Sequence, residues 1–539
     1  MGSESNFPRR PNAGTEEENW TLTPFCSLQD PRADEVLAPF GDGDALEYLG
    51  GHHASEDPDV AQFHVVGSGR DPQSPDEDAV REGRPAPLVR FLRRNSDRSG
   101  DCPCDGAGDR ACVFVAKRLT YADTHSLRQR VLLGPYLILC LCFHASASDW
   151  PQFLGPTRDA VYAGPSLAED WPATGPPVVW SAAVGEGYSS PIVGEERLVV
   201  CHRIESDLVI DCFDSKTGQK HWSFKHPMQF QDGAYFDSGP RPTPTIKDGR
   251  VFAANTDGYL VCLDLKNGEK VWSRQPKSEF MSGGTWHGCV ASPLVTEKAV
   301  ILPVGGTNAA GVVAFARATG EILWQALDEK AGAASPVLAT FDGKPQVLVV
   351  TRAALHSLDP ETGTNYWQVP TRRQTTGNVY AASPVVFGDQ IFLSAWYQLG
   401  AQLLRVKHGQ PEEIWRLDDA ISTHYANGIV FEGHLYGFHG HAWERGGPSL
   451  RCIELATGKV VWEQPQTGSG TIIRAGGDLL ILSDTGELQL AKASPSEFKI
   501  KARAQVVGRT TRSYAAIADG FVFVKGPRKL VCLDLRARK

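Results

Sequence analysis

The stretch DLKNGEKVW (Asp264–Trp272) decides the fold, because close copies of it recur along the last two-thirds of the chain. The copies are DSKTGQKHW (Asp214–Trp222), ARATGEILW (Ala316–Trp324), DPETGTNYW (Asp359–Trp367), the looser RVKHGQPEEIW (Arg405–Trp415) and ELATGKVVW (Glu454–Trp462). Successive tryptophans are 50, 52, 43, 48 and 47 residues apart. A period of that size, filled with short alternating apolar strands, is the signature of β-propeller blades.

Each unit opens on a small-residue phrase: YSSPIV (Tyr188), RPTPTI (Arg241), VASPLV (Val290), AASPVL (Ala333) and AASPVV (Ala381), then the degenerate YANGIV (Tyr425), GSGTII (Gly468) and RSYAAI (Arg512). Eight openings predict eight blades. The last unit stops at LVCLDL (Leu530–Leu535), before its Gly turn and Trp strand, and the missing strand is found upstream as VVWSAAV (Val178–Val184). The reading is therefore an all-β, eight-bladed propeller in which an N-terminal strand closes the last blade and removes the exposed sheet edges. Trp180, Trp222, Trp272, Trp324, Trp367, Trp415 and Trp462 share the fourth-strand position and are expected to wedge between blades as structural residues.

The chain divides as 1–126, 127–147 and 148–539. In the first segment Leu, Ile, Val and Phe fill only 22 of 126 positions, too few to offset ordering entropy, which predicts disorder. Cys102, Cys104, Cys112 and His125 do not complete a zinc-ligand pattern. In the second, Arg128 and Arg130 precede VLLGPYLILCLCF (Val131–Phe143) and Ala145-Ser-Ala147, the three parts of a secretory signal. The run is too short for a permanent span. The expectation is a translation start near 127, segment 1–126 not being translated, and a periplasmic or secreted protein; the competing reading is a buried or interfacial helix. The net charge of −9 excludes a general nucleic-acid binder. A monomer is expected, with a small-molecule or protein ligand on the face that carries the long loops.

Those loops are Gln229–Pro242, Glu279–Gly288, Thr371–Tyr380, Asp418–Tyr425 and His439–Gly447. With the blade openings they supply the candidate ligand-binding residues Tyr188, Arg241, Trp286, His287, Tyr380, His424, Tyr425, His439, His441 and Arg512. The arginines suit a carboxylate, and the aromatic residues suit a flat ring. His439 and His441 form a candidate metal pair without a visible third ligand, and Asp237, Asp418 and Asp419 are the nearest carboxylates. Cys212, Cys262, Cys452 and Cys532 occupy one register in their blades and read as small buried hydrophobes, whereas Cys201 and Cys212 could meet across a hairpin centred on Ile204–Val209.

The Ser-Pro opening, the Asp-x-x-Thr-Gly turn and the Trp strand, from about Trp150 to Lys539, resemble the pyrroloquinoline-quinone-like (PQQ-like) propeller repeat of quinoprotein alcohol dehydrogenases and of the assembly lipoprotein BamB. DWPQFLGPTRD (Asp149–Asp159) resembles the start of exported planctomycete members, some labelled polyvinyl-alcohol dehydrogenases. The resemblance implies two functions: a ligand- or protein-binding scaffold, or a PQQ- and Ca²⁺-dependent alcohol dehydrogenase. The sequence has no Cys-Cys dipeptide, no Cys-x-x-Cys-His, and no Asp in a matching catalytic motif. The scaffold is the preferred reading, and the catalytic residues of the alternative are not assigned.

Overall fold

The computed structural model describes residues 149–233, 237–283, 285, 287–371, 380–396, 399–441 and 446–537. The expected disordered and signal-like segments lie outside these residues.

Eight sheets follow one another, each with four antiparallel strands in meander order, and one of them gains a fifth, parallel strand from Val161–Tyr162. Their innermost strands are Ile192–Gly194 (blade 1), Thr245–Lys247 (blade 2), Leu294–Val295 (blade 3), Val337–Phe341 (blade 4), Val385–Phe387 (blade 5), Ile429–Phe431 (blade 6), Gly470–Ala475 (blade 7) and Ala516–Ala518 (blade 8). The closing strand is Val178–Ala183, which pairs with Lys529–Asp534 so that Trp180 faces Cys532 and Val178 faces Leu533. This is the closure expected from the sequence. A single four-residue helix, Pro276–Glu279, occurs among the described residues, and none is long and apolar enough to cross a membrane.

The repeated phrase has a packing cause. Trp180, Trp222, Trp272 and Trp324 each reach the next blade and lie against the glycine of its turn. A Cβ on Gly218 would sit 2.6 Å from Trp180, one on Gly268 2.6 Å from Trp222, and one on Gly363 2.5 Å from Trp324. Those glycines also have positive φ, so the turn demands glycine twice over. The indole N–H of Trp180, Trp222, Trp272, Trp324, Trp415 and Trp462 donates to a backbone carbonyl of the following blade at 2.9–3.1 Å. Trp367 differs: blade 5 presents the Lys407–Gln410 hairpin in place of a Thr-Gly turn, and the indole donates to Gln346 Oε1 within its own blade.

Cys212, Cys262, Cys452 and Cys532 lie directly opposite the tryptophan of their own blade and are buried. Cys201 and Cys212 do not meet. The hairpin turns at Glu205–Ser206, one residue earlier than the sequence symmetry suggested, so Cys201 faces Ile210, Cys212 faces Val199, and both thiols are free.

Candidate functional site

The chain just inside each blade opening builds the axis in two tiers. In an extended chain, residues i and i+2 point to the same side. The third residue of each opening phrase, usually the one before proline, forms the lower tier, and the residue two positions earlier forms the upper one.

The lower tier is a closed hydrogen-bonded circle. The backbone N–H of Ser190 donates to Thr243 Oγ1, Thr243 to Ser292 Oγ, Ser292 to Ser335 Oγ, Ser335 to Ser383 Oγ, and Ser383 to Asn427 Oδ1. Blade 7 has Gly470 at this position and offers no side chain. The phenol of Tyr514 spans the gap: Asn427 N–H donates to Tyr514 Oη at 2.6 Å, and Tyr514 N–H returns to Ser190 Oγ at 2.9 Å. All these residues are buried. The circle satisfies the backbone donors that a Pro-containing strand start leaves unpaired.

Below the circle the axis is closed by a strap, residues 149–162. Trp150 exchanges both backbone hydrogen bonds with Val193, Pro151 accepts from Ile246, and Val161–Tyr162 runs parallel to Arg474–Ala475. Phe153 meets the Tyr514 ring edge-on at 5.6 Å. Arg158, 5 % exposed, donates to the carbonyls of Pro293 and Pro336 and to Gln152 Oε1. Burial lowers its pKa to about 9, which leaves it charged at neutral pH. A cavity of about 240 Å³ opens at this end, between the strap and blades 1 and 2, lined by Asp149, Gln152, Glu195 and Lys247 among others.

The upper tier reads Tyr188, Arg241, Val290, Ala333, Ala381, Tyr425, Gly468 and Arg512. Blades 8, 1, 2 and 6 thus present arginine and tyrosine, and blades 3, 4, 5 and 7 present small residues. Every one of these residues that carries a side chain is half-buried, as expected for the wall of a pit. The guanidinium groups of Arg241 and Arg512 both lie over the Tyr188 ring, 5.4 Å from its centroid, and Arg512 also lies 5.9 Å from that of Tyr425. Arg241 is anchored by Asp232 Oδ2 at 2.7 Å and by the carbonyls of His287 and Asp237. The same Asp232 oxygen, fully buried, bonds His287 Nδ1 at 2.8 Å. Burial lowers the Arg241 pKa against the opposing pull of Asp232.

Beyond Arg512 stands a histidine pair. The rings of His424 and His441 are 4.4 Å apart and near perpendicular; His441 stacks on Trp396 at 4.3 Å, and His424 meets Tyr425 at 5.5 Å. Burial first, then the positive neighbours, holds His424 well below the usual imidazole value and His441 at about 4. Burial also pushes the Tyr188 phenol up, and that of Tyr425 further. The Tyr425 hydroxyl is enclosed and makes no hydrogen bond.

Tyr188, Arg241, His287, His424, Tyr425, His441 and Arg512 therefore come together around one end of the axis. Three candidates stand apart. Tyr380 is buried in the apolar seam of blades 4 and 5 with Trp367 and Leu393. His439 uses Nδ1 to accept from Ser422 N–H and lies 3.1 Å from Arg451, so this nitrogen braces a loop. Trp286 lies outside the described residues. Of the carboxylates, Asp237 caps the backbone N–H groups of Gly187 and Gly239, and Asp419 offers its carbonyl to Arg451. Asp232, Trp396, Tyr514 and Arg158 were not singled out from the sequence. Of these, Tyr514 could have been found by aligning the blade openings and asking what fills the axis.

The donor set suits an anion with a flat face. Among the described residues no three His, Cys, Asp or Glu side chains gather to hold a metal, and Asp232 is occupied by Arg241 and His287.

Residues 205–464 match the family model described as outer membrane protein assembly factor BamB. No curated protein matches the chain. Among solved structures, the quinohemoprotein alcohol dehydrogenase from Comamonas testosteroni is 13 % identical, with 73 % of this chain and 81 % of that chain covered at a TM-score of 0.53. A europium-containing methanol dehydrogenase is 12 % identical, covering 71 % and 90 %, at 0.54. BamB from Moraxella catarrhalis is 14 % identical, covering 67 % and 98 %, at 0.48. Likeness at such identities concerns the fold alone. The BamB model thus covers a little under half of the chain, within a fold that is an eight-bladed β-propeller.

Proposed function

We propose that the propeller is a binding scaffold whose long-loop end holds a small, flat, negatively charged molecule. The observation that carries this reading is the placing of Arg241 and Arg512 over Tyr188, above a floor that is closed by hydrogen bonds and plugged from beneath. Guanidinium groups recognise carboxylates and sulfonates in pairs of hydrogen bonds, and a half-buried setting strengthens them. The small residues of blades 3 to 5 leave room beside the arginines. The signal-like segment at 128–147 supports a site of action outside the cytoplasm, and N-terminal sequencing of the native protein tests that placement.

Binding is tested by calorimetric titration of the full chain with benzene-1,3-disulfonate and, separately, with uncharged benzene-1,3-dimethanol. The expected result is binding of the anion, at least tenfold weaker binding of the neutral compound, and a loss of about tenfold or more in Arg512→Gln, about 1.4 kcal/mol. Equal affinity for both compounds, or an Arg512→Gln protein that binds as before, overturns the reading. Reduction of a dye by alcohols after addition of PQQ and Ca²⁺ replaces it with the dehydrogenase.

A further inference from the structure

Blade 8 carries a charge at a position where no other blade does. Ala516, in its first strand, pairs with Phe523, and Lys525 stands two residues further along the second strand. In the other seven blades the same step ends on an uncharged residue, Cys201 in blade 1 and Ser394 in blade 5 among them. Lys525 is 1 % exposed, and an ammonium is costly to bury. Its Nζ donates to the carbonyl of Gly187, and to that of Gly526 at 3.4 Å. Its own carbonyl accepts from Ser513 Oγ at 2.7 Å. Burial lowers its pKa to about 8, which leaves it protonated at pH 7.

These contacts join two segments that carry the site. Gly187 precedes Tyr188, and Ser513 follows Arg512, whose guanidinium lies 5.4 Å from the centre of the Tyr188 ring. Gly187 has a φ of +122°, and a glycine's backbone is too permissive to fix the direction of the next residue by itself. Clamps from both sides set that direction. On the blade 2 side Asp237 Oδ2 accepts from Gly187 N–H at 2.7 Å, and the Pro240 carbonyl accepts from the N–H groups of Tyr188 and Ser189 at 2.9 Å. The Asp237 carbonyl also holds Arg241, so the Arg241 side of the ring is fixed without Lys525. On the blade 8 side Lys525 makes the link, with its side chain on Gly187 and its carbonyl on Ser513.

We infer that Lys525 is a positioning residue of the anion site, holding Arg512 and Tyr188 in place across the seam of blades 8 and 1. The inference rests on the anion-binding reading above and adds to it a buried residue that acts through its neighbours. Without the ammonium the Gly187 carbonyl loses this donor, and the Tyr188 ring is steadied from the Arg241 side. The ring and the Arg512 guanidinium then shift against each other. Paired hydrogen bonds from a guanidinium to a carboxylate or sulfonate depend on fixed placement, and ordering it only on binding lowers affinity.

Lys525→Met keeps the length of the side chain and removes the ammonium. Calorimetric titration of the full chain at pH 7.0 with benzene-1,3-disulfonate, and separately with benzene-1,3-dimethanol, reads the effect, and thermal unfolding checks that the variant is folded. The expected result is a loss of about fivefold or more in affinity for the disulfonate, with the neutral compound changed by less than about twofold. In the Arg512→Gln chain the same substitution is expected to cost less than about twofold, because Lys525 acts through that guanidinium. Ser513→Ala cuts the other half of the link and is expected to weaken the disulfonate about twofold to threefold, again only while Arg512 is present. Unchanged disulfonate affinity in a folded Lys525→Met protein overturns the inference and leaves anion binding intact. If Lys525→Met does not fold, an unchanged Ser513→Ala protein overturns it instead. A loss that persists in full in the Arg512→Gln chain shows the ammonium acting by its own charge and overturns the positioning role, and equal weakening of both compounds marks Lys525 as purely structural. An unsubstituted chain that binds no disulfonate removes both readings.

Discussion

The two ends of the propeller axis use the same residue type to opposite purposes. At the strap end Arg158 is buried and directs its donors at the carbonyls of Pro293 and Pro336 and at Gln152, so its hydrogen bonding is completed within the fold. At the long-loop end Arg241 and Arg512 lie over aromatic faces, histidines nearby are kept neutral, and an enclosed tyrosine hydroxyl has no partner. Arg241, too, donates to two backbone carbonyls and to Asp232, so hydrogen bonding within the fold does not by itself distinguish the two ends. What distinguishes the long-loop end is that two guanidinium groups share one aromatic face beside an unmet hydroxyl.

The largest effect expected from this contrast is at the strap. Arg158→Met keeps much of the volume but leaves two buried carbonyls without donors, and truncating one side of a buried charged network costs about 3–5 kcal/mol. Equilibrium unfolding in denaturant measures it. Affinity of the long-loop end for an anion stays within about twofold in the same protein, because the hydroxyl circle stands between. A destabilisation under about 1 kcal/mol would mean that the strap merely covers the axis.

Acid separates the ends next. The folded-state pKa of His441 is about 4, below the ordinary 6.5, so its neutral form contributes stability that is fully present above pH 6.5. That contribution is lost as pH falls from 6.5 through about 4, and its full size is on the order of 3 kcal/mol. His441→Gln has no such group. Denaturation at pH 7.5 and 4.5 is expected to show a smaller acid loss in the variant than in the unsubstituted chain. Equal losses would place His441 in contact with water.

Much of this architecture was legible in the sequence because it repeats. Blade count, closure through Trp180 and the tryptophan positions all followed from one phrase, since the Thr-Gly turn and the tryptophan of the preceding blade are two halves of one contact. Arg241 and Arg512 were found because they head blade openings, where alignment exposes a departure from small residues. What escaped was whatever occurs once. Asp232 sits in a loop with no counterpart in other blades, and Arg158 lies in a strap outside the repeat. Tyr514 acquires its role only because Gly470 leaves a gap beside it. The Cys201–Cys212 pairing failed for a narrower reason: moving a hairpin by one residue shifts every cross-strand partner by two, and sequence symmetry does not fix turn position.

The smallest effect tests the comparison most sharply. Tyr425→Phe removes an oxygen at the long-loop end that is enclosed and makes no hydrogen bond. If that hydroxyl only filled space, its loss relieves an uncompensated polar group, and stability is unchanged or rises by up to about 1 kcal/mol. The same change at the strap end, at Tyr162, whose hydroxyl accepts from the Gly520 N–H at 2.8 Å, would cost stability. A stability gain accompanied by several-fold weaker binding of benzene-1,3-disulfonate is therefore the expected pattern, read by denaturation and calorimetry on one preparation. It arises when a group is held at the expense of the fold for the sake of a ligand. A Tyr425→Phe protein that is clearly less stable would instead place this tyrosine, and the wall it belongs to, with Arg158 among the purely structural residues.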